Sequence, residues 1–267
     1  YLFKWDLFII CLKGSLMVES ADLSDSIGVL LCGGKGERMT PFTLTNNKVM
    51  LRIGKKILLD LHIEALVKSD IKKIIVICNP HVDAVMKHIQ EMFPELDVEY
   101  IIEYEPIGSI NALKLARDQL EGKNVYLRFG DNFTSFNYSK SINDLHATRD
   151  SKKGAIIFTK YDNQPQFYGV CDFNEDGELI QLIEKPNPSP SNIVLGGIYY
   201  FDSDFVYFLD KLSTEEGNSI IDILNYYHSE SIINAFRVNQ SGWIDCGTPE
   251  GLAEARLFQK ENDRGLT

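Results

Sequence analysis

From residue 27 to residue 129, short apolar runs alternate with segments of helical period, and no other feature of this chain restricts its fold as much. Residues 27–31, 74–78, 98–102 and 125–129 read as buried strands. Residues 57–69, 81–93 and 109–120 read as amphipathic helices between them. Successive strands joined by a helix-length connection pair in parallel, and a parallel sheet needs helices on both faces. The expected class is therefore α/β, a Rossmann-like, mostly parallel mixed sheet flanked by helices, with ligands beyond the carboxyl ends of the strands.

The second half changes character. Residues 155–160 and 170–173 read as strands, and 174–177 as a turn into a hairpin partner at 178–184. Pro186, Pro188 and Pro190 then impose an extended loop before a strand at 194–201. Helices are expected near 142–148, 203–212 and 220–229, with a strand at 232–238. Thr248 is placed to cap a last helix that has Pro249 at its first position. With no repeat or flexible linker between the halves, the expectation is one domain of two lobes, 27–135 and 136–267, sharing a sheet.

Residues 1–26 are expected to be an extension outside the core. Their apolar stretch at 7–12 is flanked by Lys4, Asp6 and Lys13 and falls far short of the roughly 20 residues that span a bilayer. The first Met is Met17. No membrane partner is expected. A formal net charge of -11 with no basic block argues against nucleic acid. The five cysteines are dispersed, without a CxxC pair, as expected for buried reduced thiols in a cytoplasmic protein. The histidines form no zinc motif.

Chemistry concentrates in the loop after the first strand, where Leu31 leads into Gly33, Gly34, Gly36, Glu37 and Arg38. Closely spaced glycines let backbone N–H groups approach an anion, and successive amides can cradle a phosphate. A tight turn without a ligand has the same glycines, so the loop alone does not decide. It is not a Walker A loop, because no Gly-Lys-Ser/Thr follows. The dinucleotide fingerprint also fails, since Met39 stands at its third glycine. Arg38 adds a planar fork for phosphate oxygens and Lys48 a compact charge, the combination that phosphoryl or nucleotidyl transfer requires.

Taken together these residues resemble the signature of sugar-1-phosphate nucleotidyltransferases, in particular glucose-1-phosphate thymidylyltransferases. That signature runs Gly-Gly-x-Gly-x-Arg-x-x-Pro-x-Thr with a Lys five residues later. The chain matches it at Gly33, Gly34, Gly36, Arg38, Pro41, Thr43 and Lys48, and carries Asn47 where the family commonly has Pro or a small residue. Gly130-Asp131-Asn132, Tyr168-Gly169-Val170, Glu184-Lys185-Pro186, Ile221-Asp222 and the block from Trp243 to Pro249 resemble family blocks in the family's order. The likeness covers residues 27–260 and implies the nucleotide-diphospho-sugar transferase fold.

The resemblance also implies roles. Arg38, Lys48 and Lys185 would be catalytic cations. Leu31, Gly33, Gly34, Gly36, Glu37, Glu103 and Gly108 would bind the nucleotide in the first lobe. Gly169, Glu184 and Lys185 would bind the sugar in the second. Asp131 and Asp245, each of which would by itself read as a turn or cap residue, would on this resemblance hold Mg²⁺. The implied partners are a nucleoside triphosphate and a sugar 1-phosphate, with homo-oligomers frequent in the family. A sugar phosphate is already ionised near neutral pH, so no general acid or base is expected.

The base is less decided. Thymidylyl and uridylyl members usually carry Gln where Glu103 stands here, and a carboxylate accepts only, which suits guanine donors. Overall likeness favours thymidylyl transfer to glucose 1-phosphate. Guanylyl transfer to mannose or heptose 1-phosphate, or a non-catalytic nucleotide-sugar-binding relative, are the alternatives.

Overall fold

The computed structural model describes residues 23, 25–34, 36–135, 138, 141–142, 153–212, 219–238, 243–262 and 264. The first part of the chain contains β1 (Ser26–Cys32), a small ribbon of β2 (Arg52–Ile53) with β3 (Lys56–Ile57), and helix α1 (Leu58–Val67). It continues through β4 (Lys73–Cys78), α2 (Asp83–Met92), β5 (Asp97–Ile102), α3 (Ser109–Leu115), α4 (Arg117–Leu120) and β6 (Asn124–Phe129). After β7 (Asn132–Thr134) come β8 (Ala155–Tyr161), β9 (Gly169–Phe173), β10 (Leu179–Glu184) and β11 (Ile193–Phe201). The chain closes with α5 (Phe205–Lys211), α6 (Ile220–Ser229), β12 (Ile233–Arg237), β13 (Trp243–Asp245) and α7 (Pro249–Asn262).

The strands β6, β1, β4 and β5 lie side by side in parallel, as the alternation in the sequence requires. β11 then runs antiparallel to β6 and to β8, and β12 adds in parallel to β8. Strands from both halves of the chain thus share one sheet. The hairpin β9–β10 forms at the expected turn and meets β11 only near Val194. Between Leu195 and Tyr199 the register of β11 shifts, at Gly196 and Gly197, with Gly197 at a φ of 66°. This bulge divides β11, so that its first residues pair with β9 and its last with β6, and a gap opens between those two neighbours.

Two apolar layers cover the sheet. One gathers Val29, Ile77, Leu113, Leu127, Phe201 and the buried face of α6; the other gathers Leu30, Val76, Ile63, Ile89 and Phe158. Leu23, only 2% exposed, packs in the second layer, so the packed chain begins before residue 27. The helix expected over 109–120 is broken at Ala116, whose φ of -97° and ψ of 7° leave the helical region. Its second piece carries Arg117 to Asp210 of α5, at 2.9 and 2.6 Å. The helix expected near 142–148 lies almost wholly outside the described residues. No described helix is long and apolar enough to cross a membrane.

Beneath the carboxyl end of β6 lies a buried polar cluster with no sequence signature. Arg128, 1% exposed, donates from Nε to His62 Nδ1 (3.1 Å), and from its terminal nitrogens to Tyr126 OH (3.2 Å) and Thr134 Oγ1 (2.7 Å). A guanidinium only donates, so His62 Nδ1 is the acceptor and its proton sits on Nε2, which donates to the Gly130 carbonyl at 3.1 Å. The imidazole thereby fixes the residue that precedes Asp131. Burial, reinforced by the charge of Arg128, lowers the His62 pKa to about 3.

The sign of the linkage follows. An unfolded His takes up a proton below pH ~6.5 and the buried one does not, so this contribution to stability is complete above pH ~6.5 and is lost as pH falls toward 3. Denaturant titrations between pH 7.5 and 5 should show stability falling on the acid side, with His62 contributing up to about 1.4 kcal/mol per pH unit. His62→Gln should be less stable at pH 7.5 yet have a shallower acid slope. Equal slopes for the two proteins would refute this account.

Candidate active site

The loop between β1 and α1 is folded by its own side chains. Gly36, at a φ of 62°, leaves no room for a Cβ, which would stand 2.6 Å from Thr43 Cγ2 and 3.2 Å from Lys48 Cδ. Thr43 Oγ1 donates back to the Gly36 carbonyl at 2.8 Å. The loop thus curls over the stem of Lys48 and directs its ammonium inward. Gly33 and Gly34 line a cavity of about 260 Å³ together with Leu31, Lys48, Glu103, Gly108 and Asp131. Gly36 and Glu37 do not line it, and Glu37 is exposed.

Asn47, fully buried, has a definite task. Its Nδ2 donates to the Cys32 carbonyl (2.7 Å) and to Asn79 Oδ1 (3.2 Å), while its Oδ1 accepts from Val49 N (3.1 Å). Asn79 in turn donates to the Gly34 carbonyl at 3.3 Å. Two amides therefore tie the glycine loop to the ends of β1 and β4. Asn79 was not singled out in the sequence, because nothing local marks an Asn after a strand as a brace for a loop 45 residues away.

The two aspartates meet through a small ladder. β7 and β13 pair antiparallel with Asp245 opposite Asn132, and Cys246 N donates to the Asp131 carbonyl at 2.8 Å. Lys48 Nζ lies 2.7 Å from Asp131 Oδ2, and an Arg38 terminal nitrogen lies 4.0 Å from Asp245 Oδ2. Their shared space adjoins Gly247. A Cβ built there would stand 2.8 Å from Asp245 Oδ1, 3.1 Å from Arg38 and 3.4 Å from Asp131 Oδ2. Asp245 Oδ1 also accepts from Gly247 N at 2.7 Å.

Electrostatics separates the pair. Burial works to raise the Asp131 carboxyl, but the charge and hydrogen bond of Lys48 outweigh it and hold the group below the ordinary range. Asp245 is pushed up, by burial first and then by the negative charge of Asp131. Two carboxylates whose charges oppose each other fit a hard divalent cation, which would lower both penalties. Among the described residues no group of three or more His, Cys, Asp or Glu converges on a metal position, so phosphate oxygens and water would have to complete the coordination shell.

A second cavity of about 550 Å³ opens where the bulge divides β11. It is lined by Gly169, Glu184, Lys185, Gly197, Tyr199, Ser219 and Trp243, and it shares Gly108, Ser109, Phe129 and Asp131 with the first. Lys185 takes a positive φ of 44°, so it turns out of the strand direction and reaches the same cavity as its neighbour Glu184. The Lys185 ammonium lies 3.3 Å from Glu184 Oε1. Ser219 Oγ donates to Glu184 Oε2 at 2.7 Å. Ser219 also caps α6, while Asp222 accepts from its backbone N at 2.8 Å. The Ser-x-x-Asp capping pattern ahead of an apolar run was the signal that could have found Ser219. At Gly169 a Cβ would meet Ile221 Cδ1 at 2.7 Å and Leu195 Cδ1 at 2.9 Å, so glycine is needed for packing.

Glu103 also lines the first cavity. Its backbone N donates to the Cys78 carbonyl at 2.7 Å, and the residue as a whole is 5% exposed. Oε2 occupies the space where any Cβ on Gly33 would go. Burial raises its carboxyl above the usual range.

Comparison with known proteins returns the resemblance read from the motifs. The family model described as nucleotidyl transferase matches residues 27–262. A glucose-1-phosphate thymidylyltransferase of Xanthomonas campestris pv. campestris (strain B100) is 28% identical over 86% of this chain and 79% of its own length. The UTP–glucose-1-phosphate uridylyltransferase AglF of Haloferax volcanii is 28% identical over 90% of this chain and 98% of its own. Among solved structures, one assigned as a glucose-1-phosphate thymidylyltransferase from Bacillus anthracis, in complex with sucrose, superposes with a TM-score of 0.80 at 23% identity, covering 88% of this chain and 96% of that one. At that identity the superposition speaks for the fold: a mostly parallel mixed sheet flanked by helices. With a family model matched along nearly its whole length and a fold of the same kind, the chain belongs to the nucleotidyl transferase family of enzymes.

Proposed function

We propose that the chain joins a nucleoside triphosphate to a sugar 1-phosphate in the paired cavities and releases pyrophosphate, with Mg²⁺ held by Asp131 and Asp245. The observation that carries this reading is the convergence of Asp131, Asp245 and Arg38 around the space beside Gly247, with Asp131 on the wall that the two cavities share and Asp245 on the wall of the second. Bound there, Mg²⁺ would supply positive charge to the phosphate oxygens as a Lewis acid.

The chain's own residues do the rest. Gly33 and Gly34 let the backbone approach the triphosphate without a side chain in between. Arg38, exposed and forked, is placed to hold phosphate oxygens, and Lys48 adds a charge fixed by the curled loop. Across the shared wall, Lys185 would orient the phosphate of the sugar, and Glu184, held by Ser219, would accept from sugar hydroxyls. The attacking oxygen is already anionic, so alignment and charge neutralisation suffice and no proton needs to be removed.

The names of the relatives support glucose 1-phosphate as acceptor and thymidylyl as the group transferred. Glu103, which lines the first cavity and offers only acceptor oxygens, favours guanylyl instead. Likeness to the family supports a homo-oligomer, and the four described cysteines, all free and buried, support a cytoplasmic setting.

Two substitutions test the reading. Arg38 has 62% of its side chain exposed, so Arg38→Ala should leave the melting temperature nearly unchanged while lowering kcat for pyrophosphate release by about 10²–10³-fold. Turnover close to wild type would remove Arg38 from the site. Gly247→Ala puts a methyl group between the carboxylates and should abolish Mg²⁺-dependent turnover by at least about 100-fold. Chelation with EDTA should stop the reaction of the unmodified chain and added Mg²⁺ should restore it; turnover that survives chelation would exclude the metal assignment.

A further inference from the structure

The segment 130–134 carries Asp131 and supplies β7, and it is gripped at both ends from beneath. At its start the Gly130 carbonyl accepts from His62 Nε2 at 3.1 Å, while Gly130 N donates to the Leu31 carbonyl at 2.8 Å. At its end Thr134 Oγ1 accepts from a terminal nitrogen of Arg128 at 2.7 Å. The same guanidinium donates from Nε to His62 Nδ1 at 3.1 Å, so both grips run through Arg128. Between them Asn132 and Thr134 stand opposite Asp245 and Trp243 in the β7–β13 ladder, and Cys246 N bonds the Asp131 carbonyl. The placement of 130–134 therefore decides where Asp131 stands against Asp245.

Stability alone would not call for a charge at this position. Among the described residues Arg128 has no carboxylate partner, and the Tyr126 and Tyr138 rings lie 5.9 and 5.7 Å from its guanidinium carbon. Burying a cation without a counter-ion costs more than packing an apolar side chain of similar size. What the guanidinium provides is direction, because it donates only, and in a fixed fork. One arm makes His62 Nδ1 an acceptor and so keeps the imidazole proton on Nε2, aimed at Gly130. Another arm reaches Thr134. With an apolar residue at 128 the ring could take the other tautomer, and a lone pair would then face the Gly130 carbonyl.

We propose that Arg128 and His62 are positioning residues for nucleotidyl transfer, which act through 130–134 to hold the Asp131 carboxylate at the separation from Asp245 that one divalent cation requires. The proposal rests on the metal assignment made under the proposed function. Neither residue lines either of the two cavities assigned to the substrates, and nor does Thr134. Their effect accordingly falls on metal affinity rather than on contacts with nucleotide or sugar. Removing a group that orients a metal's ligands typically lowers metal affinity or activity by about 10–100-fold.

The test uses the full chain and Mn²⁺ alone, with bound metal read from the loss of the free Mn²⁺ signal in electron paramagnetic resonance. Thr134→Val removes the acceptor and keeps the shape, and His62→Leu removes the donor to Gly130. Each should raise the Mn²⁺ dissociation constant at least ~10-fold. The Mg²⁺ concentration for half-maximal pyrophosphate release should rise in step, while KM for both substrates at saturating Mg²⁺ stays near the wild-type value. Thr134→Ser restores the acceptor and should restore metal affinity. Tyr227→Phe measures what lost stability does by itself. It removes a buried hydrogen bond to Asp202 (3.0 Å) at the opposite end of β6, where Phe201 pairs with Val125, and should lower the melting temperature without moving metal affinity. Wild-type Mn²⁺ affinity in Thr134→Val, or an equal loss in Tyr227→Phe, would overturn the assignment. Should His62→Leu fail to fold, the two Thr134 variants decide alone. The two readings fail distinguishably: equal Mn²⁺ binding by wild type and variants removes the positioning role and leaves nucleotidyl transfer standing. A wild-type chain that neither binds Mn²⁺ nor releases pyrophosphate from any triphosphate removes both.

Discussion

Two like-charged carboxylates held beside one another govern this structure. Asp131 and Asp245 stand more than a hundred residues apart in sequence, and the short ladder of β7 with β13 brings them to one space. Their mutual repulsion would push the strands apart were it not answered locally. Lys48 answers it for Asp131 at 2.7 Å, while Asp245 keeps a raised carboxyl with Arg38 at 4.0 Å. The remaining architecture positions these four groups. The curled loop at Gly36 aims Lys48, the His62 imidazole fixes Gly130, and the absent side chain of Gly247 leaves open space beside the carboxylates.

The sheet supplies the second feature, two adjoining cavities that both reach Asp131. An unbroken β11 would pair along its length with its neighbours and leave no opening. The glycines at 196 and 197 break its register, and Asn132 moves into the space where a side chain on Gly197 would lie. A cavity appears in the middle of the sheet edge without an inserted loop. The same bulge receives the Trp243 indole, which donates to the Gly196 carbonyl and so links the gap to the strand carrying Asp245. The Lys160 ammonium lies 3.8 Å from the centre of that indole ring, with Asp162 as its counter-ion.

Much of this was legible in the residues. The long strands and helices carry several periods each, so their order and the parallel core could be read from apolar spacing alone. The glycine loop and its cations were legible because phosphate chemistry restricts residue type at fixed offsets. What escaped was short or distant. β7 and β13 have three residues each, too few to show alternation, yet they bring the aspartates together. Arg128 reads as an intruder in an apolar strand until His62, 66 positions away, is seen beneath it. Asn47 looked like a departure from the family pattern; its hydrogen bonds to Cys32 and Asn79 brace the loop here. The break at Ala116 had no local marker, since neither Gly nor Pro is there.

Among the described residues the two cavities have only Gly108, Ser109, Phe129 and Asp131 in common. Glu103 belongs to one wall, and Glu184, Lys185 and Ser219 to the other. On the proposed function, donor choice and acceptor choice would sit on separate surfaces, and a single replacement on either wall would re-tune one substrate without disturbing the other. A scaffold partitioned in this way can diversify its products combinatorially while its charge-handling centre stays constant.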